Sequence, residues 1–168
     1  LELKAELQQA VEQDQLFFCY QLLVDSQTAE PQGVEALVRW QHPVRGLIPS
    51  DEFLPVAEES DLMLVIDRWV LRHGCLQAKQ WLDKGFPPLL MSLNVSMRFL
   101  EERNFAQQVL AIVEETDLPP TSLQIELSER GTLPEAGRIM PQFELLVARG
   151  IHLALDERMQ VPLDGGQE

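Results

Sequence analysis

Segments with the period of a helix and segments with the period of a strand take turns through the second half of this chain. Leu62 to Lys84 carries apolar residues at helical spacing and stops at Gly85. Leu89 to Ser96 reads as a strand, and Asn104 to Thr116 as a helix closed by Pro119-Pro120. A strand from Ser122 to Ser128, a helix from Pro134 to Arg149 ended by Gly150, and a strand from Ile151 to Asp156 follow. Strands separated by helices of this length pair in parallel, so the chain is an α/β protein built either as an open doubly wound sheet or as a barrel.

The first sixty residues add a helix from Leu1 to about Asp14, a strand from Leu16 to Asp25 and a second strand from Gly33 to Trp40. Turn signals at His42-Pro43 and Gly46 to Pro49 precede a helix from Asp51 to Glu59. Glu157 to Glu168 has no sustained period and contains Pro162, Gly165 and Gly166, which reads as a tail. The expected division is therefore one domain over residues 1–156 and a divergent C-terminal tail over 157–168.

Charge narrows the partners. With 27 acidic against 13 basic side chains the formal net charge is -14, which excludes a DNA or RNA polymer, or an anionic membrane surface, as the expected partner of this segment. A phosphate-bearing ligand would need bound cations or local arginines. Cys19 and Cys75 form no Cys-x-x-Cys pair and lie in apolar contexts, so a reducing, cytoplasmic setting is expected. No apolar run approaches the roughly 18 to 20 residues of a membrane span, and LELKAELQQAV lacks the order of a signal peptide. A parent protein could still be attached to a membrane.

Side chains alternate across a strand, so residues of equal parity share a face. Glu35, Leu37 and Arg39 lie opposite Ala36, Val38 and Trp40. Ser92, Asn94 and Ser96 lie opposite Met91, Leu93 and Val95; Gln124, Glu126 and Ser128 opposite Ile125 and Leu127; His152, Ala154 and Asp156 opposite Leu153 and Leu155. Four strands thus each offer one oxygen ligand, namely Glu35, Asn94, Glu126 and Asp156. In a barrel these would converge at the carboxyl-end face, and three carboxylates with one amide oxygen suit Mg²⁺ or Mn²⁺ rather than zinc. The same parity also fits strands with one solvated face, and spacing alone leaves both readings open.

The segment VEALVRWQHPVRGLIPSDEFLPVAEES, with Glu35-Ala36-Leu37 followed in order by Arg39-Trp40, His42-Pro43, Gly46, Pro49, Phe53-Leu54-Pro55 and Ala57-Glu58-Glu59, is long and specific. Trp69-Val70-Leu71, Cys75, Gln77, SLNVS around Asn94, QIELSE around Glu126 and HLALD ending at Asp156 extend it. Together these motifs resemble the EAL family of cyclic di-GMP phosphodiesterases over essentially residues 1 to 156.

The resemblance implies a (β/α)₈ TIM-like barrel in which one strand runs against the rest, with two divalent ions, Mg²⁺ or Mn²⁺, hydrolysing cyclic di-GMP to pGpG in bacterial signalling. It makes Glu35, Asn94, Glu126 and Asp156 metal ligands, with Glu157 as a further candidate. Glu129 becomes an acid that steadies a loop, and Gln21, Leu37 and Arg39 become substrate contacts. His42 reads as a turn or packing residue, and Trp40, Trp69 and Trp81 as packing aromatics. The family's second aspartate and Phe-Gly-Thr-Gly loop are replaced here by Glu157-Arg158-Met159-Gln160, and its later lysine and distal glutamate have no counterpart.

The expectation is thus an incomplete EAL barrel of about the first five strands, truncated and inactive as this chain alone and capable of homo-oligomer formation. A parent protein would link it to sensor or GGDEF-type domains. The alternative is a degenerate EAL module acting as a cyclic di-GMP-binding or protein-interaction regulator.

Overall fold

The computed structural model of the chain describes residues 2–127, 131–132, 136–155 and 159–160. Helix α1 (Glu2–Glu12) leads through Asp14, in the left-handed conformation at φ 56, into strand β1 (Leu16–Val24). β1 pairs antiparallel with β2 (Pro31–His42), Leu16 opposite Trp40 and Gln21 opposite Glu35. Asp25 organises the intervening loop by accepting the backbone N–H groups of Gln27 at 2.8 Å and Thr28 at 3.0 Å.

The stretch read from sequence only as turn signals also holds a short strand, β3 (Gly46–Ile48), antiparallel to the end of β2. The cause is His42, which is buried. Its Nδ1 accepts the N–H groups of both Val44 and Arg45 at 3.0 Å, tightening the turn until Gly46 lies opposite His42. With Nδ1 accepting, Nε2 carries the proton and donates to Glu6 at 2.7 Å. The packing role expected of His42 is the one it has.

Helices α2 (Ser50–Glu58) and α3 (Leu62–Asp83) lead to β4 (Leu90–Val95). A one-turn helix α4 (Met97–Leu100), α5 (Phe105–Thr116) and β5 (Leu123–Leu127) follow. The chain continues through β6 (Gly131–Thr132), α6 (Ala136–Ala148), β7 (His152–Leu155) and β8 (Met159–Gln160). The main sheet has the order β1-β2-β4-β5-β7, with β2, β4, β5 and β7 parallel and β1 opposed; β6 and β8 form a separate parallel pair. This is an arc of a β/α barrel with one reversed strand, and among the described residues it does not close. No helix among them is long and apolar enough to cross a membrane.

One face of the arc is the core. Val34, Ala36, Val38 and Trp40 of β2, Met91, Leu93 and Val95 of β4, and Leu123, Ile125 and Leu127 of β5 are all buried. α3 lies over this face with Ile66, Val70, Leu71, Gly74, Cys75 and Ala78 turned inward. Burial pushes the Cys75 thiol up to about 12, although a hydrogen bond with Thr116 acts the other way. Each large apolar side chain so enclosed contributes about 1.5–3 kcal/mol.

Gly33 opens the pairing of β2 with β4, and a Cβ there would stand 2.4 Å from the carbonyl oxygen of Leu90. The obstacle is backbone in a paired strand and cannot swing aside. Gly33→Ala is expected to lower stability by about 2 kcal/mol, read as a lower urea midpoint at unchanged slope. An unchanged midpoint would contradict the close approach of these two strands.

Candidate functional site

Register places the polar row. In the parallel pairing Glu35 stands opposite Ser92, Ser92 opposite Gln124, Asn94 opposite Glu126, and Glu126 opposite Ala154. All these positions have the parity opposite to the core, as do Leu37 and Arg39 further along β2, where the side chains are half-buried. Pairing between β2 and β4 ends at Ala36 and Leu93, while β2 runs on to His42. In the split beyond that point lies a cleft of about 430 Å³, lined by Glu35, Leu37, Asn94 and Glu126 from the strands and by residues of α2 and α3, including Leu54 and Asp67.

Within the cleft the side chains are tied to one another. Asn94 Nδ2 donates to Glu35 Oε2 at 2.9 Å. The Ser92 hydroxyl donates to Glu126 Oε2 at 3.3 Å and accepts from Gln124 Nε2 at 3.0 Å. The Asn94 amide is thereby fixed in one orientation, because its nitrogen faces a carboxylate. Its oxygen, Oδ1, is buried and has no hydrogen-bond partner among the described residues. A buried acceptor left in this way costs about 1–3 kcal/mol, and the donor set around it is two carboxylates and an amide oxygen, hard oxygens of the kind that hold Mg²⁺ or Mn²⁺. The residues present therefore fit a divalent cation. Among the described residues no three His, Cys, Asp or Glu side chains gather as a metal-binding group. The third carboxylate expected from the sequence, Asp156, lies outside the described residues, as do Glu157 and Glu129.

Of the remaining candidates, Leu37 lines the cleft, whereas Gln21 and Arg39 share the face of Glu35 without lining it. Gln21 is exposed on β1 directly across from Glu35. Arg39 Nη1 donates to the carbonyl of Val38 at 3.0 Å, and among the described residues Arg39 forms no ion pair. Trp40 is fully buried and donates Nε1–H to Gln15 at 3.0 Å. Trp69 stacks on His73 at 4.3 Å, and Trp81 meets Tyr20 edge-on at 5.0 Å, so all three tryptophans pack as expected.

Sequence reasoning missed two groups. Ser92 carries the right parity but was not singled out as holding Glu126. Asp67, within the apolar run LMLVIDRWVL, was not singled out at all. The available signal was helical spacing, which sets Asp67 on one face with Met63, Val70 and Leu71, where an unpaired carboxylate would be costly.

A mostly parallel β/α arc, with Asn94 and Glu126 near the carboxyl ends of β4 and β5, has the architecture of a barrel-type domain, a class whose functional groups gather at that end. The EAL domain profile matches residues 4–159, and the chain belongs to the EAL-domain family. The bifunctional diguanylate cyclase/cyclic di-GMP phosphodiesterase MucR of Pseudomonas aeruginosa is 34% identical over 157 residues, 94% of this chain and 23% of that protein. Another cyclic di-GMP phosphodiesterase of the same organism is 34% identical over 158 residues, 92% of this chain and 26% of that protein. The solved PaMucR phosphodiesterase, a c-di-GMP complex, superimposes with a TM-score of 0.88 at 32% identity, covering 98% of this chain and 66% of that one. The chain thus spans a minor part, 19% to 26%, of such curated relatives.

Removing the Ser92 hydroxyl would take away the acceptor of Gln124 Nε2 and one donor to Glu126 Oε2. Ser92→Ala is expected to cost about 1–2 kcal/mol in urea unfolding, more than a change at an exposed serine such as Ser26→Ala. Equal effects of the two would contradict the hydrogen-bonded row.

Proposed function

We propose that this chain carries the amino-terminal part of a metal-dependent cyclic di-GMP phosphodiesterase site. The observation that carries the reading is the buried Asn94 Oδ1, without a hydrogen-bond partner among the described residues, held beside Glu35 and in register with Glu126. In this reading Glu35, Asn94 and Glu126, joined by Asp156 and Glu157, hold Mg²⁺ or Mn²⁺. Ions bound there would supply an activated water at neutral pH and neutralise charge on the phosphate oxygens.

The chain's own residues have separable tasks. Glu35 accepts from Asn94 Nδ2 and keeps Oδ1 turned to the cleft; Ser92 aims the Glu126 carboxylate. Arg39, with paired donors on a planar guanidinium, is suited to a phosphate oxygen. Leu37 gives an apolar contact in the cleft wall, and Gln21 offers an amide across from Glu35. Glu129, by the resemblance, would steady the loop that comes after the following strand of the sheet, β7.

We further propose slow turnover by this chain alone. By the resemblance, Glu157-Arg158-Met159-Gln160 stand where the family has a second aspartate and a glycine-containing loop, and loss of such positioning groups commonly costs several kcal/mol of transition-state stabilisation. With Mn²⁺ present, pGpG formation is expected to stay at the level of Glu35→Ala. Mn²⁺ at a hundredfold excess over its dissociation constant is expected to stabilise the wild type by about 2.7 kcal/mol, and to do so for neither Glu35→Ala nor Asn94→Ala. Turnover clearly above Glu35→Ala would make the chain a minimal enzyme. Metal-dependent cyclic di-GMP binding without turnover would favour the regulator, and equal Mn²⁺ effects on all three proteins would remove the metal site.

A further inference from the structure

A buried carboxylate outside the ligand row grips the strand that carries Asn94. Asp67, in the second turn of α3, is 1% exposed. Its Oδ1 accepts the backbone N–H of Ser96 at 3.0 Å, and its Oδ2 accepts the Ser96 hydroxyl at 2.6 Å. The same hydroxyl accepts the N–H of Phe99 at 3.2 Å and so caps α4. Asp67 and Ser96 both line the cleft, and Ser96 is two residues beyond Asn94 on the same parity.

Taking a carboxylate out of water is costly, and an apolar residue would fill a helix face against a sheet without that cost. What Asp67 provides and an apolar residue could not is a hold on both the backbone and the side chain of Ser96, the residue directly after β4. That hold falls where the sheet offers least. β2 pairs with β4 only as far as Leu93, so on the β2 side Asn94 has no strand neighbour, and its one cross-strand partner is Glu126.

We infer that Asp67 is a positioning residue which, through Ser96, fixes the end of β4 so that Asn94 meets Glu35 with its nitrogen and turns its oxygen into the cleft. The consequence for cation binding rests on the function proposed above; the positioning itself rests on the geometry alone.

The test uses the full chain labelled with ¹⁵N, reading the side-chain amide signal of Asn94 and, separately, Mn²⁺ affinity. Asp67→Asn and Ser96→Ala are compared with Thr116→Val. Thr116 is also buried, and its hydroxyl donates to Ile112 and Val113, but it does not line the cleft. Asp67→Asn and Ser96→Ala are expected to shift or broaden the Asn94 signal and to weaken Mn²⁺ binding by about 10- to 100-fold. Thr116→Val should lower the melting temperature and leave both readouts in place.

Should Asp67→Asn fail to fold, Ser96→Ala, which removes only a hydroxyl, carries the comparison. An Asn94 signal unmoved by the cleft variants, or moved equally by Thr116→Val, overturns the inference. A signal that moves as expected while wild type and Asn94→Ala bind Mn²⁺ equally upholds the positioning role and removes the cation site instead.

Discussion

Register in a parallel sheet decides at one stroke which side chains are buried and which line up on the opposite face, since a slip of one residue would exchange the two sets. Here the register that sends Ala36, Leu93 and Ile125 into the core is the one that sets Asn94 against Glu126 and brings Glu35 within reach of the Asn94 amide. The two outcomes cannot be separated. Burial of the core side chains, at about 1.5–3 kcal/mol for each large one, exceeds the cost of about 1–3 kcal/mol for one unpartnered amide oxygen. The core can therefore hold Asn94 Oδ1 in a position that is unfavourable for the protein by itself.

Helix α3 connects that core to the cleft. Gly74 lets the helix approach so closely that a Cβ there would stand 2.5 Å from the Leu93 side chain. Two turns earlier, Asp67 reaches the backbone and hydroxyl of Ser96. The helix thus contacts β4 on both sides of Asn94 in sequence, through packing before it and through hydrogen bonds after it. The cleft opens where β2 and β4 part, and its lining runs from the polar row to core residues such as Ala36, Val38 and Ile66.

Much of this was legible in the sequence because two periods, 3.6 and 2, were both clear. The helix at Leu62 and the strands through Leu93 and Ile125 lie where the periodicity puts them, and the parity of Glu35, Asn94 and Glu126 is readable from the sequence alone. β3 was not legible, because three residues have no period and its formation depends on two backbone bonds to His42. The two-residue strands β6 and β8 were missed for the same lack of length. Asp67 was hidden by its neighbours: in an apolar helical run one carboxylate reads as an interruption, and its partner Ser96 is 29 residues away. Leu37 could be assigned to the cleft from parity, but parity alone could not tell that Arg39, on the same face, lies outside its lining. Asp156, Glu157 and Glu129 lie outside the described residues, and the sequence remains the ground for including them.

In the proposed function, strand register assembles a divalent-cation site around an amide oxygen that has no hydrogen-bond donor among the described residues. Anomalous diffraction from a crystal of this chain grown with Mn²⁺ tests it most directly. The account predicts a peak in the cleft with Asn94 Oδ1 and carboxylate oxygens of Glu35 and Glu126 among its ligands, at about 2.1 Å, the distance typical of small hard cations. Peaks confined to surface carboxylates, with the Asn94 amide turned to find a protein hydrogen-bond donor, would contradict it.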